Sequence, residues 1–112
     1  MSNFRVMSPA TGQQVGEVND AGPDEARRCL DVADDAFQSW RASTAYERAA
    51  ILRRWNDLVI AHANELARII TKEMGKPVSE ARGEVRYTAS FIEWYAEEAK
   101  RVRRDAAQPD CR

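Results

Sequence analysis

Residues 78–102, VSEARGEVRYTASFIEWYAEEAKRV, decide the fold class because they carry the longest regular pattern in the chain. Spacing of three and four residues places side chains along one face of an α-helix. Phe91 and Trp94 widen that face. The pattern predicts a helix from about residue 78 to about residue 103, the last of four. Its periodic positions are Ala81, Val85, Thr88, Ile92, Tyr95, Ala99 and Val102.

Three shorter helical patterns precede this segment. The first begins at Pro23, which suits a first helical turn because its missing N–H is no loss there. The second begins after Thr44, whose hydroxyl forms a capping box with the carboxylate of Glu47. Asn64 is predicted to cap the third, which ends at Gly75 because glycine accepts the left-handed conformation common past a helix end.

The amino-terminal region is extended instead of helical. Residues 8–12, SPATG, form a turn signal between two apolar stretches. We predict short strands at about 5–7 and 14–18, and a lone hairpin of this kind needs a neighbour to pack on. As an isolated chain the fold class is therefore mainly α, a β-hairpin followed by four helices.

Composition narrows the range of functions. The 112 residues carry 17 basic and 18 acidic side chains for a net charge of -1, which does not favour nucleic acid. No apolar run reaches the roughly 18 residues of a membrane span, and the first residues lack a signal-peptide pattern. Cys29, Cys111 and His62 do not form a zinc pattern. We expect a cytoplasmic protein without membrane, nucleic-acid or metal partners.

The candidate reactive side chains have structural interpretations. We interpret His62 as a packing residue that complements a helix end, and Cys29 as a small apolar residue within a helical face. Cys111 lies in the tail and receives no function. The glycines form neither G-x-G-x-x-G nor a P-loop. The sequence therefore predicts no catalytic, cofactor-binding or metal-binding residue in this chain.

The remaining prominent side chains are interpreted as surface or packing groups. Carboxylates on the helices are expected to be solvated and held by partners one turn away, such as Glu97 with Arg101. The tryptophans are expected to be core or interface anchors. The apolar faces exceed what so small a domain can bury, which indicates a missing partner surface. These groups are Asp34, Asp35, Glu97 and Glu98 among the acids, and Trp40, Trp55 and Trp94 among the aromatics.

Several motifs occur in the same order as in a known protein family. The chain resembles the aldehyde dehydrogenases, and the motifs of its last helix resemble the succinate-semialdehyde dehydrogenase branch. The resemblance covers about residues 4 to 102. The motifs are SPATG at 8–12, FQSW at 37–40, ER at 47–48, ILR at 51–53, EMGKP at 73–77, SEARGEV at 79–85 and SFIEWYAEEAKR at 90–101.

The resemblance implies NAD(P)-dependent oxidation of an aldehyde to an acid in the full-length enzyme, which has an α/β architecture. It implies that residues 1–102 are the amino-terminal part of the dinucleotide-binding domain. The catalytic cysteine, the glutamate base and the cofactor site of the family lie beyond position 112. One functional surface maps onto this chain, since Gly83 and Tyr87 match residues that face the substrate entry tunnel; packing of Tyr87 against the catalytic domain is the alternative.

Residues 103–112 depart from the family pattern and are interpreted as a divergent, disordered tail. A frameshift, a premature stop or a truncated gene would each produce such a switch. The chain is therefore expected to be a truncated segment, inactive alone. Two alternatives remain open: a non-catalytic helical module that self-associates or docks on a full-length dehydrogenase, and one piece of a longer product.

Overall fold

The computed structural model describes residues 3–101. It confirms a mainly helical chain that begins with an antiparallel hairpin and continues through four helices. Both strands extend slightly further than the sequence predicted. The elements are β1 (Asn3–Met7), β2 (Gln14–Asn19), α1 (Pro23–Ala42), α2 (Ala45–Ala61), α3 (Ala63–Met74) and α4 (Val78–Glu98).

The hairpin is closed by the predicted turn. Gly12 has a φ of 68° and its N–H donates to the carbonyl of Ser8 at 2.8 Å. The N–H of Ser8 in turn donates to the carbonyl of Gln13 at 2.8 Å, and Ser8 is buried. Pro9 on this turn reaches the α3–α4 corner, where a Cβ added to Gly75 would lie 3.0 Å from Pro9 Cγ. The hairpin thus meets the helices through its turn.

The core of the described residues lies along α4, which packs between α2 and α3. Alanines dominate this core, and small side chains let helix axes approach closely. The buried apolar residues are Ala49 on α2, Ala67 on α3, and Ala81, Val85, Ala89, Ile92 and Ala96 on α4.

The buried face of α4 differs in part from the predicted one. Ala89 and Ala96 are buried, whereas Thr88 and Tyr95 are exposed. The prediction followed the larger side chains, but the close packing of α4 selects the smaller ones. The predicted end was also too late, because α4 ends at Glu98 and turn residues follow through Arg101. Residue 103 lies outside the described residues.

The junction of α2 and α3 corrects a second prediction. His62, not Asn64, stands at the boundary: it is the residue after α2 and before α3, and Asn64 lies inside the first turn of α3. The backbone N–H of His62 donates to the carbonyl of Leu58 at 3.0 Å. The predicted end of α3 is confirmed, because Gly75 adopts φ 78° and its N–H donates to Thr71 at 2.9 Å.

Helix α1 contributes no buried residue to the core. Leu30, Phe37 and Trp40 lie at helical spacing on one face of α1, yet Leu30 is 70% exposed and Phe37 and Trp40 are also exposed. The described chain is accordingly elongated, with extents of 71 × 37 × 15 Å. The surplus of apolar surface expected from the sequence is present, and it is spread over the hairpin and all four helices.

Candidate functional site

The outer face of α4 is the surface that carries the two predicted tunnel residues. Gly83 and Tyr87 lie four residues apart on one helix and so share a face. That face points away from the core formed by Ala81 and Val85. Tyr87 is 66% exposed, and apart from the adjoining residues and backbone of its own helix nothing lies within 4 Å of the position that a Cβ on Gly83 would occupy. Both residues are therefore accessible to whatever adjoins this face, and the tunnel assignment itself stays a prediction.

Aromatic side chains continue the same surface toward the end of α4. The rings of Tyr87 and Phe91 meet edge to face with centroids 4.7 Å apart, and those of Trp94 and Tyr95 do so at 4.9 Å. We call these four residues the aromatic ridge. A shallow groove on this surface is lined by Ser90, Phe91, Trp94 and Tyr95. The sequence placed Phe91, Trp94 and Tyr95 on the apolar face of this helix and Tyr87 on the tunnel side, and did not predict that the four form one exposed surface.

An ion-pair cluster joins the end of α4 to α2. Arg53 on α2 donates to Glu97, and Lys100 Nζ lies 3.0 Å from the other carboxylate oxygen. The hydrogen bond from Arg53, and then that from Lys100, lower the pKa of Glu97 below its usual range. The predicted partner of Glu97 was wrong, because Arg101 pairs with Glu98 at 3.1 Å. These contacts fix the geometry of two helices.

The predicted capping box at the start of α2 is confirmed. The backbone N–H of Thr44 donates to Glu47 Oε2 at 2.6 Å, and the N–H of Glu47 donates to Thr44 Oγ1 at 3.2 Å. The hydrogen bond from the Thr44 backbone is the main cause that lowers the pKa of the Glu47 carboxyl, followed by the Thr44 side chain. This carboxylate therefore has a structural role at a helix end.

The structure corrects the interpretations of His62 and Cys29. The His62 side chain is 59% exposed, and its Nδ1 lies 3.1 Å from Glu65 Oε2, so it is not a packing residue. Cys29 is exposed on α1 and does not pack as an apolar residue within the described chain. The three tryptophans are likewise outside the core, since each is about half exposed, and their interpretation as interface anchors stays a prediction. Asp34 and Asp35 are exposed, as predicted.

The amino-terminal ends of the described helices do not favour a dinucleotide phosphate. A helix N-terminus binds phosphate when its free N–H groups face the anion, and a carboxylate in the same turn repels it. All four helices in residues 3–101 carry a carboxylate in their first turn, namely Asp24 and Glu25, Glu47, Glu65, and Glu80. No step of nucleotide binding is therefore assigned to these residues.

Residues 3–101 contain no group of three or more histidine, cysteine, aspartate or glutamate side chains arranged to hold a metal ion. None of the helices described there has the length and apolarity needed to cross a membrane.

Comparison with known proteins identifies the family. The chain belongs to the aldehyde dehydrogenase family, whose model matches residues 1–110. This match takes in most of residues 103–112, the segment interpreted as a divergent tail, which lies outside the described residues. The outer face of α4 and the bare α1 are thus surfaces of an aldehyde dehydrogenase segment.

The similar proteins include two curated relatives and one solved structure. The glutarate-semialdehyde dehydrogenase of Pseudomonas putida is 52% identical over 112 residues, covering 97% of this chain and 23% of the relative. The NADP-linked succinate-semialdehyde dehydrogenase of Escherichia coli is 53% identical over 97 residues, covering 87% and 20%. The structure of succinate-semialdehyde dehydrogenase from Burkholderia pseudomallei matches with a TM-score of 0.88 at 55% identity, covering 91% and 21%. The chain therefore spans between a fifth and a quarter of their length.

Proposed function

We propose that this chain is the amino-terminal segment of a cytoplasmic, NAD(P)-dependent dehydrogenase that oxidises semialdehydes of dicarboxylic acids. The observation that carries the proposal is the identity of 52% and 53% to enzymes named for glutarate and succinate semialdehyde. Both named compounds pair an aldehyde with a carboxylate at the other end of a short chain. The E. coli relative is named for NADP, and the choice between NAD and NADP belongs to the rest of the enzyme.

By itself the chain is proposed to be inactive and to belong to the dinucleotide-binding domain through residues 1–102. The carboxylates in the first helical turns of the described residues oppose cofactor phosphates. The aldehyde-attacking thiolate of such an enzyme needs an electropositive setting. Cys29 lies instead on an exposed helix beside charges of both signs, with Glu25 and Arg28 lining the same shallow surface.

Within the assembled enzyme, we propose that Gly83 and Tyr87 line the approach to the aldehyde. The support is their shared outward face, the space around Gly83 and the exposure of Tyr87. A glycine followed one turn later by a tyrosine leaves room for a slender substrate beside an aromatic wall with one hydroxyl.

Complementation of a truncated relative tests the proposed dehydrogenase function. The chain is mixed with the Pseudomonas putida relative lacking its matching amino-terminal residues, and oxidation of glutarate and succinate semialdehyde is followed through reduction of the nicotinamide cofactor. We expect turnover only when both pieces are present. Equal turnover by the truncated relative without the chain, or a complex that oxidises unrelated aldehydes equally well, contradicts the assignment.

A matched pair of variants tests the role of Tyr87 in the same assay. Tyr87→Ala is expected to change KM for the semialdehyde several-fold. Tyr46→Ala is the control, because Tyr46 is a similarly exposed tyrosine, on α2. Equal effects of the two substitutions would remove Tyr87 from the substrate path.

A second candidate function is a helical interaction module. It is favoured by α1, whose apolar face has no buried residue in the described chain. Such a face associates with another apolar surface in water, either a second copy or a full-length dehydrogenase subunit.

A further inference from the structure

Tyr87 has four neighbours one turn away on the surface of α4. In an α-helix, the side chains three and four positions before and after a residue lie beside it. Because these neighbours belong to the same continuous helix, they stay beside Tyr87 whatever adjoins the outer face. They are Gly83 and Glu84 on the amino-terminal side, and Ser90 and Phe91 on the carboxyl-terminal side.

On the amino-terminal side, neither neighbour has a free side chain that would fix the Tyr87 ring. Gly83 has no side chain, and apart from its adjoining residues and the backbone of its own helix nothing lies within 4 Å of an added Cβ. The carboxylate of Glu84 is engaged at the α3–α4 corner, where its Oε2 lies 2.6 Å from Lys76 Nζ. The space proposed above for a slender substrate therefore lies on this side of Tyr87.

On the carboxyl-terminal side, the hydroxyl of Ser90 is engaged by the backbone. Ser90 Oγ donates a hydrogen bond to the main-chain carbonyl of Tyr87 at 2.7 Å. A serine has one donor, and a helical serine commonly gives it to a carbonyl one turn earlier. Ser90 is therefore bonded to the main chain of Tyr87, and its donor is not directed to the ring.

Phe91 is the neighbour that contacts the ring of Tyr87. The two ring centroids are 4.7 Å apart, and the ring planes meet at 85°. This edge-to-face arrangement is favourable because the positive edge of one ring meets the negative face of the other. Long helical side chains lean toward the amino-terminal turn, which brings Phe91 back over Tyr87. Within residues 3–101, Tyr87 makes its ring contact with Phe91.

We propose that Phe91 is a positioning residue for the substrate path, which acts by fixing the ring of Tyr87 beside the open position of Gly83. An exposed tyrosine on a helix otherwise moves between two staggered χ1 positions. The contact with Phe91 favours the position in which the two rings meet. The semialdehyde then passes an aromatic wall that is already in place, and its binding does not have to order that wall. The inference rests on the proposed dehydrogenase function and on the place of Tyr87 in it.

The alternative is that Phe91 contacts the substrate itself, or packs on the remainder of the enzyme. Phe91 is 46% exposed, so its surface has room for either contact. The two cases differ in how the effects of Phe91 and Tyr87 combine. A residue that acts only through Tyr87 has no effect once that ring is removed, whereas a residue with contacts of its own adds a separate effect.

The test uses the complex of the 112-residue chain with the truncated Pseudomonas putida relative. Phe91→Leu keeps an apolar side chain and removes the ring. It should shift KM for glutarate and succinate semialdehyde in the same direction as Tyr87→Ala, by about two- to tenfold, the range that the strength of an edge-to-face ring pair allows. We expect kcat to stay unchanged, because the wall is the same before and during the chemical step.

Two further variants serve as controls for Phe91→Leu. Phe91→Tyr keeps the ring and should retain the wild-type KM. Phe4→Leu is the same substitution at another exposed phenylalanine, on β1, and should leave KM unchanged. A KM for Phe91→Leu that equals that of wild type would overturn the inference, and so would a shift of the same size in Phe4→Leu.

The double variant Tyr87→Ala/Phe91→Leu separates the inference from its alternative. We expect its KM to equal that of Tyr87→Ala alone, because Phe91 then has no ring to position. Additive effects of the two substitutions would overturn the inference, since they would mean that Phe91 acts independently of Tyr87.

Nuclear magnetic resonance of the 112-residue chain follows the ring without substrate or cofactor. The ring of Phe91 should displace the ring-proton resonances of Tyr87 from those of Tyr46, which is 75% exposed and has no ring contact within residues 3–101. Phe91→Leu should return the Tyr87 resonances to the Tyr46 values, and Phe91→Tyr should keep them displaced. Coincident Tyr87 and Tyr46 resonances in the wild-type chain would overturn the inference.

Failure of the inference and failure of the proposed function give different results. If the complex oxidises semialdehydes and Tyr87→Ala shifts KM while Phe91→Leu does not, the proposed function stands and the inference falls. If the complex has no turnover, the proposed function falls, and the resonances of Tyr87 still decide whether Phe91 fixes its ring.

Discussion

Arg53 on α2 donates a hydrogen bond to Glu97 on the last turn of α4, across 44 residues of sequence. Lys100 approaches the same carboxylate at 3.0 Å from the other side. The cluster therefore ties the last turn of α4 to α2.

Lowering the pH should weaken the attachment of the end of α4 to α2. The pKa of Glu97 is lowered by the hydrogen bond from Arg53 and then by Lys100. A lowered pKa contributes stability that is present above the unfolded value, about 4.3 for glutamate, and is lost as the pH falls through the folded value. Glu97→Gln should thus lower the unfolding temperature at neutral pH and flatten its dependence below about pH 4. The control Glu93→Gln, at an exposed residue of the same helix, should follow wild type; identical curves for all three proteins would contradict the cluster.

The different burial of Ile92 and Trp94 on α4 predicts that their replacement by alanine lowers the free energy of unfolding by very different amounts. Ile92 is 6% exposed and Trp94 is 55% exposed. Ile92→Ala should destabilise the chain by about 2–5 kcal/mol, because it removes buried methyl groups. Trp94→Ala should cost less than about 1 kcal/mol, since its ring is largely in water. Urea unfolding of the isolated chain measures both, and a larger loss for Trp94→Ala would place that ring in the core.

The capping box makes a local prediction at the start of α2. Thr44→Ala removes the acceptor of the Glu47 N–H, which is bonded at 3.2 Å. We expect a loss of about 1 kcal/mol in the free energy of unfolding. Ser39→Ala is the control, since the Ser39 hydroxyl bonds only a carbonyl of its own helix. Equal losses at the two positions would mean that the cap does not stabilise the chain.

Replacement by alanine should change the stability of the chain in opposite directions at Gly75 and at Gly83. Gly75 has a φ of 78°, and a Cβ there would lie 3.0 Å from Pro9, so Gly75→Ala should destabilise by about 1 kcal/mol or more. Gly83 lies in the interior of α4 with open space around it. Gly83→Ala should stabilise the isolated chain by roughly 0.5–1 kcal/mol through helix propensity. Thermal unfolding of both variants decides this, and stabilisation by Gly75→Ala would contradict the left-handed helix end.

The sequence predicted the elements well because their signals are local. Pro23, the Thr44 box and Gly75 each set a helix boundary through their own backbone chemistry. The boundary between α2 and α3 was misplaced at Asn64, because the chain bends at His62 without a capping side chain. The buried face of α4 was partly wrong since Ala89 and Ala96 become core only when neighbouring helices approach closely.

The periodicity of the apolar residues did not predict which of them are exposed. The apolar face of α1 has the pattern of a core helix, yet its residues are exposed in the described chain. An amphipathic pattern predicts that the apolar face of a helix packs on another surface. It does not indicate whether that surface belongs to the same chain. The partner of Glu97 was also missed, because Arg53 is distant in sequence and only the packing of α2 on α4 brings it near.

The most direct test of the proposed function is turnover by the purified 112-residue chain alone, after its intact mass has been confirmed. It is incubated with glutarate and succinate semialdehyde and either NAD or NADP, beside the full-length Pseudomonas putida enzyme. We expect cofactor reduction by the full-length enzyme and none above background by the chain. Semialdehyde-dependent reduction by the chain at a rate comparable to that of the full-length enzyme would contradict the proposal that this segment is inactive by itself.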